Sequence, residues 1–123
     1  MDKVFHDVKR FMLAAGQRTD TKMDASDSQC RLYKNLIGEE FNEFQNAYEQ
    51  RDDVEILDAC FDMIWVIVGY MHSRGWDCEG AWEEGAQSNL IKIDPVTGLV
   101  RRREDGKILK PDGWQPPNFE QFM

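Results

Sequence analysis

The stretch Ile56-Leu57-Asp58-Ala59-Cys60-Phe61-Asp62-Met63-Ile64-Trp65-Val66-Ile67-Val68-Gly69-Tyr70-Met71 decides how this chain folds. It is apolar on every side apart from two aspartates, and such a segment reads as a buried helix in a soluble protein. An ionised carboxylate is costly to bury alone, so it neutralises, pairs or binds a metal. Asp58 and Asp62 stand four apart and share one helix face. Two like charges that close repel each other unless a cation lies between them.

Working outward, this helix reads from about Asp53 to Ser73, and Gly75 breaks the chain after it. Arg51-Asp52-Asp53 before it is a short turn. A preceding helix starts near Asp27 or Ser28, both good N-caps, and runs to about Gln50. Tyr33, Leu36, Ile37, Phe44, Ala47 and Tyr48 form its apolar stripe. At about 100° per residue, Glu40 falls in the middle of that stripe and Glu43 on its edge, with Glu39 further round. A glutamate at the centre of a core-facing stripe breaks the binary pattern and calls for a reason. A turn this short predicts that the two helices pack antiparallel, so their carboxylates face one another.

The flanks are simpler. Val4, Val8, Phe11 and Ala15 recur at helical spacing, predicting a first helix over residues 2–15. Gly16 is a natural stop, and residues 17–26 read as a polar loop. A fourth helix is expected from about Asp77 to Leu90, with Ala81, Trp82 and Gly85 inward. Asp94-Pro95-Val96-Thr97-Gly98 is turn chemistry. Residues 99–110 read as a β-hairpin around Asp105-Gly106, and Pro111 to Met123 as an extended arm. The expectation is one all-α domain over 1–123: a four-helix core over about 1–93, then the hairpin and arm over about 94–123.

Composition narrows the function. The 123 residues fit one ordinary domain. Fifteen Lys and Arg against 23 Asp and Glu leave a net charge of −8, which argues against a nucleic-acid binder. Phosphate remains accessible if metal ions supply the positive charge. Cys30, Cys60 and Cys78 are widely spaced, which disfavours a zinc site. Their odd number, and the burial expected for Cys60, point to free thiols in a reducing cytoplasm. Met1-Asp2-Lys3 leads into no apolar signal-type stretch. The apolar run is too short for a membrane span.

The acids converge on one chemistry. Glu40 and Glu43 are three apart, and each of the pairs Glu40–Glu43 and Asp58–Asp62 can aim two oxygens at one spot. Oxygen-only donors suit Mg²⁺ or Mn²⁺. Glu39 and Glu55, taken singly, read as ordinary surface charges. A structural reading of Asp58 and Asp62 needs basic partners, for which Arg31 and Lys34 are candidates. A di-iron carboxylate bundle needs Glu-x-x-His pairs. Neither His6 nor His72 follows a glutamate at that spacing, and both read as surface or helix-end residues.

Gly38-Glu39-Glu40-Phe41-Asn42-Glu43-Phe44, followed by Asp58-Ala59-Cys60-Phe61-Asp62-Met63-Ile64-Trp65, resembles the MazG-like all-α nucleoside triphosphate pyrophosphohydrolases. These are relatives of phosphoribosyl-ATP pyrophosphohydrolase and dimeric dUTPase. Residues 11–17, 31–43 and 87–92 also resemble the phage-type branch, as does the arm from Arg103 to Pro117. The family motif is ExxE on one helix and ExxD on the next. Glu40 and Glu43 match its first half. The second half departs, because Ala59 stands three before Asp62. Asp58, one turn before Asp62, takes that place in the phage-type reading; Glu55-Ile56-Leu57-Asp58 is the literal alternative.

The resemblance implies hydrolysis of the α–β phosphate bond of a nucleoside triphosphate, giving a monophosphate and pyrophosphate. It implies a homodimer or homotetramer with sites near subunit interfaces. The implied metal ligands are Glu40, Glu43, Asp58 and Asp62, holding Mg²⁺ or Mn²⁺. Glu39 or Glu40 would orient the attacking water or take its proton. Lys92 is expected to hold phosphates, with Lys34, Arg103, Lys107 and Lys110 as further candidates. Asn89 and Gln17 are candidate substrate contacts. Helix-end capping explains Asn89 equally well, and a solvated ribbon explains the basic residues of the hairpin. A catalytically silent nucleotide-binding module and a structural oligomer with salt-bridged acids are the alternatives.

Overall fold

A computed structural model describes residues 2–123. Its helices are α1 (Asp2–Ala14), α2 (Ser28–Gln50), α3 (Asp53–Ser73) and α4 (Cys78–Leu90), with a 3-10 turn at Glu120–Phe122. The chain divides into two compact units, one reaching to Cys78 and one spanning Glu79–Phe122. Among the described residues, no helix is long and apolar enough to cross a membrane.

In the first unit, local chemistry sets the helix ends. The Asp27 carboxylate accepts the N–H groups of Gln29 and Cys30, and the Asp52 carboxylate accepts that of Glu55. Caps of this kind satisfy helix donors that have no intrahelical partner. Arg51 closes α2 in the left-handed conformation at φ 54°, its N–H donating to the Tyr48 carbonyl at 3.1 Å. The chain therefore reverses in two residues, and α3 packs along α2 while also meeting α1.

The core joins Phe5, Val8 and Met12 of α1 to Tyr33 of α2 and to Val66 and Val68 of α3, with Cys78 beside them. Helices α2 and α3 approach closely at Gly69, where an added Cβ would lie 2.2 Å from Cε1 of Tyr33. The Tyr33 hydroxyl donates to Oε1 of Gln17 at 2.7 Å, which ties the loop after α1 to the core. That loop is held again at the far end of α3. Lys22 Nζ donates to the Gly75 carbonyl at 2.7 Å, and Arg74 Nε donates to the Met23 carbonyl at 2.8 Å.

Three sequence expectations for this unit change. Helix α3 is not buried all round: within the first unit, α1 and α2 are the helices that pack on it among the described residues. Ala59, Val66, Val68 and Gly69 face inward, whereas Val54, Leu57, Phe61 and Ile64 are exposed. Cys60 is half-buried for the same reason, although all three cysteines are free. His72 stands in the last turn of α3, as the helix-end reading had it, but it is not at the surface. It is 5% exposed, with Nε2 2.9 Å from the Phe5 carbonyl oxygen.

In the second unit, the C-terminal arm folds back along α4. Trp114 Nε1 donates to the Ser88 carbonyl at 2.8 Å, and the Asn118 N–H donates to the Glu84 carboxylate at 2.8 Å. The Phe119 ring covers Gly85, while Trp82, expected inward, is half-exposed. The expected β-hairpin does not form strands. Gly106 makes its turn at φ 88°, with its N–H on the Arg103 carbonyl at 2.9 Å. Only isolated antiparallel bridges follow, Ile93 with Val100 and Arg102 with Ile108. Residues 101–110 are exposed throughout. A two-stranded ribbon with no covered face is at best marginal in water.

Candidate functional site

The reversal between α2 and α3 brings Glu40, Glu43 and Asp62 together. One carboxylate oxygen from each lies within 4.8 Å of the others. Glu40 and Glu43 meet because they are neighbours along one helix face. Asp62 joins them from the packed partner helix.

The electrostatics of this cluster are unfavourable as it stands. Oε2 of Glu40 is buried and has no hydrogen-bond partner. Burial, a hydrogen bond with Glu43 and the charges of Glu43, Asp62 and Glu39 push the Glu40 carboxyl up to about 7. Burial, followed by the charges of Asp58 and Glu43, also raises Asp62. The ion pairs among the described residues are Lys3–Asp7, Lys9–Asp20, Arg18–Asp27 and Arg103–Asp105. None involves the cluster. Arg31 and Lys34, the candidate partners for a purely structural role, are exposed and take part in none of them. A buried, unpartnered oxygen among three convergent carboxylates fits a hard divalent cation, which takes oxygen donors and offsets their repulsion.

The remaining acids lie around this centre. Asp58 is exposed and outside the three-residue cluster, although its charge is felt by Asp62. Glu55 is exposed in the first turn of α3. Glu39 is exposed on α2 and acts on Glu40 through its charge. Gln17 is engaged by Tyr33, so its amide oxygen already serves the core.

The other expected contacts belong to the second unit, apart from Lys34. Lys92 Nζ donates to Asn89 Oδ1 at 3.0 Å. Lys92 and Lys110 place their ammonium groups 4.9 and 4.5 Å from the centre of the Trp114 ring. Arg103 is paired with Asp105, and Lys107 is exposed in the same turn. The sequence reading missed Trp114 as the anchor of this group. The available signal was a lone indole between Asp112-Gly113 and Pro116-Pro117, four residues after Lys110.

Comparison with known proteins adds one finding. Residues 6–89 match the family described as phosphoribosyl-ATP pyrophosphohydrolase. The matched span includes Glu40, Glu43 and Asp62. No curated protein matches the chain.

Proposed function

Because this chain belongs to the phosphoribosyl-ATP pyrophosphohydrolase family, we propose that it is a nucleotide pyrophosphohydrolase that cuts the α–β phosphoanhydride bond. The substrate is a nucleoside triphosphate and the products are a nucleoside monophosphate and pyrophosphate. The observation that carries this reading is the buried, unpartnered Oε2 of Glu40 within the Glu40, Glu43 and Asp62 cluster. The Asp58 and Asp62 spacing favours the phage-type MazG-like branch of these enzymes.

Glu40, Glu43 and Asp62 would hold Mg²⁺ or Mn²⁺, with Asp58 one turn away on the open side. When bound, the cation supplies positive charge against the phosphate oxygens and makes water a better nucleophile. With Glu40 committed to the cation, exposed Glu39 beside it is the better placed base for the attacking water.

The exposed apolar residues of α3, Val54, Leu57, Phe61 and Ile64, support a homodimer or homotetramer. Light scattering tests that part. Three free thiols suit a reducing, cytoplasmic setting.

The decisive experiment measures pyrophosphate release from a panel of nucleoside triphosphates with Mg²⁺, and again in EDTA. Release that requires the divalent ion is expected for at least one of them. Nucleotide binding without any release would leave a silent binding module. A melting temperature indifferent to Mg²⁺ would favour a structural role for the acids, because a ligand of the native state raises stability.

A further inference from the structure

We infer that the ribbon of residues 99–110 in one copy of this chain docks on the outer face of α3 in a second copy, and that the exchange is reciprocal. The inference rests on the self-association proposed above and names the surfaces that carry it. Each surface is exposed and supplies what the other lacks. On α3, Val54, Leu57, Phe61 and Ile64 recur at helical spacing as one exposed apolar stripe, with Val54 76% and Leu57 71% open to solvent. Glu55 and Asp58 border that stripe and are exposed. The ribbon carries Arg101, Arg102, Arg103, Lys107 and Lys110 against Glu104 and Asp105. It also exposes Leu99, Ile108 and Leu109.

The hydrogen bonds of the ribbon decide which of its faces docks. The Arg103 N–H donates to the Lys107 carbonyl and the Leu109 N–H to the Arg101 carbonyl, each at 2.8 Å. These bonds set Arg103 opposite Lys107 and Arg101 opposite Leu109, around the Arg102–Ile108 bridge. Side chains alternate along a strand, so Leu99, Arg101, Arg103, Lys107 and Leu109 share one face. Lys110 belongs to the other, and its ammonium is drawn to the Trp114 ring of the same unit. The docking face is therefore the first. It sets two leucines beside Arg101 and Lys107, which take no part in the ion pairs of the described residues, whereas Arg103 is held by Asp105. The dimensions agree. Val54 to Ile64 rises about 15 Å along the helix, and Leu99 to Arg103 extends about 13 Å. The leucines meet the apolar stripe while Arg101 and Lys107 meet Glu55 and Asp58. A two-stranded ribbon is marginal alone, and this contact gives it the cover it lacks. Reciprocal exchange closes into a dimer and leaves neither surface free to propagate. Asp58 stands one turn from Asp62, so the second copy also brings positive charge to the rim of the carboxylate cluster.

Sedimentation velocity of the whole chain over the micromolar range tests this. The wild type should associate, and more weakly in high salt, because exposed charge pairs are screened. Arg101→Glu with Lys107→Glu reverses the ribbon's charge; Glu55→Lys with Asp58→Lys reverses that beside the stripe. All four side chains are exposed, so both double variants keep the fold, which circular dichroism checks. Each alone should associate about tenfold or more weakly than the wild type, since like charges then face each other. An equimolar mixture of the two should recover wild-type association. In the mixed pair the reversed ribbon faces the reversed stripe, and the native ribbon faces the native stripe. Docking within one chain gives no such recovery. The inference is overturned if the wild type stays monomeric, if either double variant associates like the wild type, or if mixing recovers nothing. A wild type that associates as strongly as both variants would leave the proposed homo-oligomer standing without this contact. The pyrophosphate assay bears on neither.

Discussion

Replacing Glu40 with glutamine tests the cation reading through folding stability. In the metal-free protein the Glu40 carboxyl sits at about 7 against an ordinary 4.5. A raised carboxyl binds its proton more tightly in the folded state. The associated stability is therefore complete below about 4.5 and is lost as pH rises through about 7. Converted at the standard free energy per pH unit, that gap bounds the penalty at roughly 3 kcal/mol. The side chain is partly open to solvent, and screening reduces this to about 1–2 kcal/mol. Glutamine keeps the shape of the protonated acid without the charge. In EDTA at pH 8, Glu40→Gln should therefore melt above the wild type. For a chain of 123 residues, the rise is about 4–8 °C. At pH 4 the two proteins should melt together. Adding Mg²⁺ at pH 8 should reverse the order, because the wild type gains about 3 kcal/mol at a hundredfold excess over its dissociation constant. Differential scanning calorimetry at the two pH values, with and without Mg²⁺, reads all four states. A variant that melts below the wild type in EDTA at pH 8 would show that the Glu40 carboxylate is satisfied in the fold, and the reasoning would fail.

Three further outcomes are expected. Asp62→Asn should abolish pyrophosphate release while the circular dichroism spectrum stays native; release at the wild-type rate would remove Asp62 from the site. Gly69→Ala places a Cβ 2.2 Å from the Tyr33 ring and should cost about 1–3 kcal/mol by overpacking, offset by less than about 1 kcal/mol of helix propensity. Urea unfolding measures this, and a variant as stable as the wild type would mean that Tyr33 moves freely. Burial holds the His72 imidazole below its ordinary 6.5, although the Phe5 carbonyl works the other way. The unfolded chain then binds the extra proton first, so stability should fall as pH drops below about 6.5. That part of the pH dependence should vanish in His72→Gln, and an unchanged profile would assign it to other groups.

Much of the helical frame was legible because its punctuation is local. Asp27 and Asp52 cap through their own side chains, and Gly16 turns at φ 78°. The helix boundaries follow from such contacts without knowledge of the fold. The arm shows the opposite case. Asp105-Gly106 does turn the chain, but whether its flanks become strands depends on what covers them, and nothing does over residues 101–110. The helix-end place of His72 was legible but its burial was not, because a polar residue in a last helical turn is normally solvated. Its burial comes from α1, whose Phe5 carbonyl receives it from 67 residues away in sequence. Helix α3 reads as apolar all round whether its outer residues meet this chain or a second copy. Sequence pattern reports that a face is to be covered, not by what.

The two aspartates illustrate the same limit inside the site. Spacing of four puts Asp58 and Asp62 on one face, and pattern alone treats them as equals. A helix rises about 1.5 Å per residue, so Asp58 stands about 6 Å along the axis from Asp62. That step matters because Glu40 and Glu43 come from a partner helix whose register is set by the Arg51 turn. The register aligns Asp62 with the glutamates and leaves Asp58 exposed beside them. Asp58 still raises Asp62 by its charge. Its removal should therefore relax the cluster electrostatically even if Asp58 holds no cation. Asp58→Asn and Asp62→Asn separate the two roles. Mg²⁺ affinity measured by calorimetry should fall far more for Asp62→Asn. Equal losses would mean that both aspartates hold the ion, and that the three-residue cluster is incomplete without Asp58.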